Sequence, residues 1–253
     1  MSALPSTGSF GKSLRHEEAI LRKLKFGIAL LLLPACVGAT LATAQLGRVL
    51  LTGTTAQTAG AFGAGYGLWL LIFCFLPKPV RTYVLGHELT HALWAWLMGA
   101  RVSGLKVGKA GGQVHTSKTN WAITLAPYFF PFYAILFMLL FFLGHWIWDW
   151  SGYMGVLFFL IGFGWSFHVT FTIMVLFSVS QPDVESQGVL FSFTIIYLMN
   201  LLTMTVVATL LSPTLTWEMF ASTTGKNVWQ GYAWTLDKLH VLWEYGRVVW
   251  SNR

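Results

Sequence analysis

His87-Glu88-Leu89-Thr90-His91 sets two imidazoles four residues apart, with a carboxylate between them. On a helix that spacing puts both rings on one face, where together they can grip one zinc ion, and the glutamate faces the same cation as a general base. The flanks, Tyr83-Val84-Leu85 before and Ala92-Leu93-Trp94-Ala95-Trp96-Leu97 after, are apolar, so the motif is expected in a membrane-embedded helix. No proline or glycine interrupts residues 87–97, and Gly99 stands where a helix would stop. Three ionisable groups in an apolar segment are costly unless they pair or bind metal. The chemistry these residues point to is zinc-dependent hydrolysis inside a lipid bilayer, in preference to a pair of packed core histidines.

The rest of the chain must hold that helix in lipid. Hydrophobic residues make up 55% of the 253 positions and charged residues 10%, which excludes an ordinary soluble domain. Apolar runs at 26–44, 61–76, 121–146, 154–179 and 188–211 approach or exceed the ~20 helical residues needed to cross a bilayer. The motif segment, 82–98, is a sixth element. The expected fold is an all-α polytopic membrane protein with about five transmembrane helices plus the embedded HExxH helix, followed by a short β-hairpin. Residues 1–25 form a polar cytoplasmic N-terminal segment whose stretch 14–24 is suited to a membrane surface. Residues 26–211 form a transmembrane metalloprotease core, and 212–253 a Trp-rich amphipathic tail suited to the membrane interface.

The net charge of +7 does not indicate nucleic acid as a partner. Lys12, Arg15, Arg22, Lys23 and Lys25 stand just before the first apolar run, a pattern that orients a membrane protein with its N-terminus inside, and no basic face with interleaved aromatics appears elsewhere. Cys36 and Cys74 fall in apolar runs as small packing residues. Ala42-Thr43-Ala44 has the form of a signal-peptidase site, but the polar stretch ahead of it is long for a signal peptide, so 1–44 is expected to stay as an anchor.

Three features bear on how a site would be assembled. Gly60, Gly63 and Gly67 have the small-residue spacing of close helix packing. Residues 100–116 partly alternate apolar and polar about a glycine-rich turn, predicting a hairpin. Its edge strand can hold a substrate in the extended form that attack on a peptide bond requires. Pro127 and Pro131 are expected to kink or open the 121–146 helix beside the metal.

A zinc hydrolase usually has a third protein ligand, and the candidates are His115, His145, Asp149, His168, Asp183 and Glu185. If the zinc helix dips in from the cytoplasmic face, the following spans carry His145 and Asp149 outward and return Asp183 to the face from which His87 and His91 entered. Asp183 follows a helix stopped at Pro182, so its carboxylate is free to project. It leads, with His168 and Glu185 as alternatives; for His168 a hydrogen bond to a neighbouring helix is an equally good reading.

With these residues in view, the chain resembles the site-two protease family of intramembrane zinc metalloproteases, as a divergent bacterial-type member. The resemblance rests on His87-Glu88-Leu89-Thr90-His91-Ala92-Leu93, the Gly99-Ala100-Arg101-Val102 exit, the hairpin reaching Gly111-Gly112, and an aspartate-bearing helix end two spans later. It implies that His87, His91 and Asp183 bind Zn2+, with Glu88 as general base. The implied reaction is hydrolysis of a peptide bond in or near a transmembrane segment of a membrane-protein substrate. The implied location is the bacterial inner (cytoplasmic) membrane, with multiple passes. In the family the aspartate lies in an Asn-Pro...Leu-Asp-Gly setting; here the residues are Ser180-Gln181-Pro182-Asp183-Val184, with Gln181 where a substrate-orienting asparagine stands. The alternative is a catalytically idle membrane chaperone or adaptor of the same fold, which would have no need for Glu88.

Overall fold

The computed structural model describes residues 7–53, 56–108, 111–178 and 180–251. Residues 1–6 of the polar segment, Lys109 and Ala110 of the hairpin turn, Val179 at the end of the fourth apolar run, and residues 252–253 of the tail lie outside them. In chain order the elements are α1 (Thr7–Gly53), α2 (Ala56–Phe75), α3 (Val80–Leu97), β1 (Val102–Gly108), β2 (Gly111–Thr116), α4 (Trp121–Leu125), α5 (Phe132–Ile147), α6 (Met154–Ser178), α7 (Pro182–Gln187), α8 (Val189–Leu211) and α9 (Trp217–Ser251). Short 3-10 turns, Ala126–Tyr128 and Ser151–Tyr153, precede α5 and α6.

Among the described residues four stretches are long and apolar enough to cross a membrane: Glu17–Gly53, Ala56–Phe75, Ser151–Ser178 and Val189–Leu211. A fifth arises if Trp121–Tyr128 and Phe132–Ile147 are one span, bent by 83°. The prolines explain the break: Pro127 sits inside the 3-10 turn and Pro131 caps α5, and neither can donate a backbone bond to continue a helix. The expected kink is therefore a near right-angle turn. α3 is not among these spans, because Arg81, His87, Glu88 and His91 lower its apolarity.

The HExxH helix ends as its glycine predicts. Gly99 takes φ +69°, its N–H bonds the Trp96 carbonyl, and Ala100 N–H bonds the Ala95 carbonyl; this paired closure satisfies the last carbonyls of a helix. β1 and β2 then form an antiparallel pair, Gly108 opposite Gly111 and Gly104 opposite His115.

α2 and α6 run side by side in the same direction, and glycines let them touch. A Cβ on Gly65 would lie 2.0 Å from the Phe159 carbonyl oxygen, and one on Gly162 would lie 2.1 Å from that of Phe62. Above this contact Trp69 packs against Phe163, Phe167 and Phe171. Gly60, Gly63 and Gly67, expected to serve this purpose, face open space. At ~100° per residue they lie on the side of α2 away from Gly65.

The N-terminal stretch expected to rest on the membrane surface is, from Thr7, continuous with the first span. The tail forms α9, which docks antiparallel along α1. Gly38 meets the backbone of Asn227 and Val228, and Gly231 meets the Pro34 carbonyl. Beside these contacts Asn227 and Gln45 exchange amide bonds of 3.0 and 3.3 Å. Trp217, Trp229, Trp234, Trp243 and Trp250 all point outward. At the other end of α1, Lys25 donates to Gln187 of α7 at 2.6 Å and lies over the Phe191 ring, so the basic end of α1 and the Asp183 turn share one end of the bundle.

Candidate metal centre

His87 and His91 project from one face of α3, their rings 4.8 Å apart edge to face. α7 delivers Asp183 to the same point: its Oδ2 lies 3.5 Å from His87 Nε2 and 3.4 Å from His91 Nε2. Among the described residues these three form the one group of His, Cys, Asp or Glu able to hold a metal ion.

The spacing tests the fit. Ligands ~2.1 Å from a tetrahedral zinc are separated by about 3.4 Å, which matches both nitrogen-to-oxygen distances. A direct charge-assisted hydrogen bond would be shorter, ~2.7–2.9 Å. The tautomer agrees as well. His91 Nδ1 lies 2.8 Å from the Ile123 carbonyl oxygen; a carbonyl only accepts, so Nδ1 carries the proton and Nε2 turns a lone pair toward the carboxylate. With that ring neutral, its lone pair and the carboxylate face one point at a spacing that could hold a cation between them.

That carbonyl is available for a reason written in the chain. In an α-helix the Ile123 carbonyl would accept from the N–H four residues on, but that residue is Pro127, which has none. Asn120 caps the start of α4, its Oδ1 accepting from Ala122 and Ile123 N–H at 2.9 Å each. α4 is thereby held beneath α3 with one carbonyl turned to His91. Beside the other histidine, Tyr83, one turn earlier on α3, places its hydroxyl 3.3 Å from His87 Nδ1 and stacks on Phe171.

Glu88 is buried and lies against the hairpin: a Cβ on Gly112 would come within 2.4 Å of its Cγ. A cavity of about 890 Å3 opens beside it, lined by His87, Glu88, His91 and Asp183 and by every residue of β2. Consecutive strand residues alternate between faces, so a wall made of all six residues of Gly111–Thr116 is the strand's edge.

The other expected candidates go elsewhere. His115 lines the cavity from β2 but is not one of the three grouped side chains. His145, in the last turn of α5, and Asp149, just past it, pair with each other at 3.7 Å, and the Ser151 backbone N–H holds the Asp149 carboxyl below the usual carboxylate range. Glu185 accepts from Ser180. His168 is bonded to Asn200 of α8 at 3.2 Å, the packed reading rather than the ligand one.

Sequence reasoning missed two residues behind the site. Tyr128, fully buried, points its hydroxyl at Asp183 Oδ2 (3.1 Å) and Gln181 Oε1 (3.2 Å). Asn200 bonds the Tyr128 carbonyl at 2.8 Å. A signal existed for Asn200, an amide in the middle of an apolar span; Tyr128, one of the aromatics around Pro127 and Pro131, carries none of its own. No family model, curated protein or solved structure matches the chain.

Proposed function

We propose that the protein is an intramembrane zinc metalloprotease of the site-two protease type, cutting a transmembrane protein substrate in or near its membrane segment. The observation that carries this reading is the convergence of Asp183 on His87 and His91 at the wall of a cavity that also holds Glu88 and a strand edge. His87, His91 and Asp183 would hold zinc, which when bound supplies a Lewis acid that polarises a carbonyl and acidifies water.

The remaining work falls to the chain's own groups. Glu88 accepts the proton of the attacking water and returns it to the leaving amine. A peptide bond in a helix has its carbonyl shielded, so the substrate must be drawn out before attack. The free edge of β2 supports that step by taking the substrate as an added strand, and Gly112 lets the added strand approach Glu88. α3, dipping into the bilayer from the basic end of the bundle, keeps the site open to water through the cavity beside Gln113 and Gln181.

The test joins metal analysis to mapped cleavage. Purified wild type is expected to carry one zinc, retained in His168→Ala and lost in Asp183→Ala. New termini in co-expressed membrane proteins, found by mass spectrometry, are expected with wild type and absent with Glu88→Gln. Loss of zinc in His168→Ala alone would overturn the ligand set. Zinc binding with no Glu88-dependent termini would favour the idle chaperone or adaptor.

A further inference from the structure

Three polar residues in the interior, on three different elements, connect in series to Asp183, the proposed metal ligand, on a fourth. His168 on α6 and Asn200 on α8 are 3.2 Å apart, Nε2 to Oδ1. The Asn200 amide nitrogen donates to the Tyr128 and Ile196 carbonyls, each at 2.8 Å. The Tyr128 hydroxyl reaches Asp183 Oδ2 at 3.1 Å. Both hydrogens of the Asn200 amide are committed to carbonyls, so its oxygen faces His168, and His168 must carry its proton on Nε2. That nitrogen is therefore a donor and unavailable to a cation.

We infer that His168, Asn200 and Tyr128 form a buried strut that positions Asp183, tuning metal affinity through residues that do not touch the ion. The inference rests on the reading that His87, His91 and Asp183 bind zinc. A carboxylate on a short turn can rotate. The phenol has one proton and two acceptors in reach, Gln181 Oε1 at 3.2 Å and Asp183 Oδ2 at 3.1 Å, and the charged acceptor makes the stronger bond, which selects the oxygen that also faces both histidines. The phenol is fixed in turn, because Tyr128 is fully buried, packs edge-on against His87 at 5.2 Å, and has its own carbonyl held by Asn200. A second tie, from Ser192 Oγ to the Val184 carbonyl at 3.0 Å, holds the α7 backbone to α8. Polar groups in a membrane interior must satisfy one another, and here each satisfies the next along a line that ends at the ligand. Partners of ligating groups typically change metal affinity about 10–100-fold when removed.

The experiment uses the full chain in detergent, stripped with a chelator and titrated with cobalt, whose visible absorption reports ligand geometry, then with zinc in competition. Tyr128→Phe, which keeps the ring and deletes the hydroxyl, is expected to weaken binding about 10–100-fold and alter the cobalt spectrum, with the melting temperature of the metal-free protein unchanged. Asn200→Leu and His168→Leu are expected to weaken binding in the same direction, and His168→Gln, which keeps a donor, to restore it. Combining Tyr128→Phe with Asn200→Leu is expected to cost little more than the worse single change, as members of one series do. Wild-type affinity and spectrum in Tyr128→Phe would overturn the strut while leaving the metal site intact, and this holds even if Asn200→Leu fails to fold. Absence of cobalt binding in wild type would instead sink the metal reading, and the strut with it.

Discussion

Glu88 and Gly112 occupy touching volumes, and that contact makes the side chain proposed as the base depend on the absence of a methyl group. Glu88→Gln removes the base without changing shape, so zinc content is expected to stay at the wild-type level while cleavage falls about a hundredfold or more; zinc analysis beside a cleavage assay checks it. Gly112→Ala adds a Cβ 2.4 Å from Glu88 Cγ, which must push the carboxylate aside. Its expected result is at least a tenfold loss of turnover with full metal content, and an unaltered rate would mean that Glu88 does not work from this position. Residues differ in how far sequence exposes them. His87, Glu88 and His91 were legible because their geometry follows from one helix and a spacing of four. Asp183 was legible only through a folding path, since its partners lie more than ninety positions away. Asn200 shows in the sequence only as an amide in an apolar span and Tyr128 not at all, because a hydrogen bond between separate elements leaves no periodic trace along the chain.

Elements carry the next layer of dependence. Pro127 does more than break the 121–146 span: by lacking an N–H it leaves the Ile123 carbonyl for His91. Pro127→Ala would supply a competing donor and remove the ring that holds the turn. Zinc affinity is expected to fall roughly tenfold, measured by chelator competition, with His91 rather than His87 losing its orientation. Packing between helices is tested by a matched pair. Gly162→Ala would drive a Cβ into the Phe62 carbonyl, whereas the same change at Gly63 meets open space. The first is expected to destabilise by about 1–3 kcal/mol, read as a lower melting temperature in detergent, and the second to be neutral. The contrast also shows why the glycine stripe misled. Spacing identifies a set of small residues on a helix, but which side faces a neighbour is decided by the bulky residues around it, here Trp69 and its partners Phe163, Phe167 and Phe171 on α6. The end of α3 and the hairpin were legible because glycine conformation and local alternation determine them. The docking of α9 on α1 was not, since the tryptophans that suit the tail to an interface carry no sign of Gly231 and Asn227, the residues that meet α1.

At the scale of the whole molecule the arrangement has a direction. α2 and α6 run in parallel, Phe73 beside Phe171, and both end where α7 presents Asp183. Lys25 at the start of the apolar part of α1 is bonded to the last residue of α7, while Gly53 at the other end of α1 lies against Thr214 beyond α8. The cavity and β2 therefore sit at the end that carries Arg22, Lys23 and Lys25, and the Trp146-Ile147-Trp148 turn belongs to the opposite end. Positive residues are retained on the cytoplasmic side, so the cavity is expected to open there. In a chain with Cys36 and Cys74 replaced by alanine, Gln113→Cys in β2 and Trp148→Cys in the turn provide the two reporters. A membrane-impermeant maleimide is expected to label Trp148→Cys in right-side-out vesicles and Gln113→Cys only in inside-out ones. Labelling of both from one side would mean that the bundle does not span the bilayer between them. Exchange of the two patterns would put the cavity outside and require the basic end of α1 to cross the membrane, against the charge that should retain it.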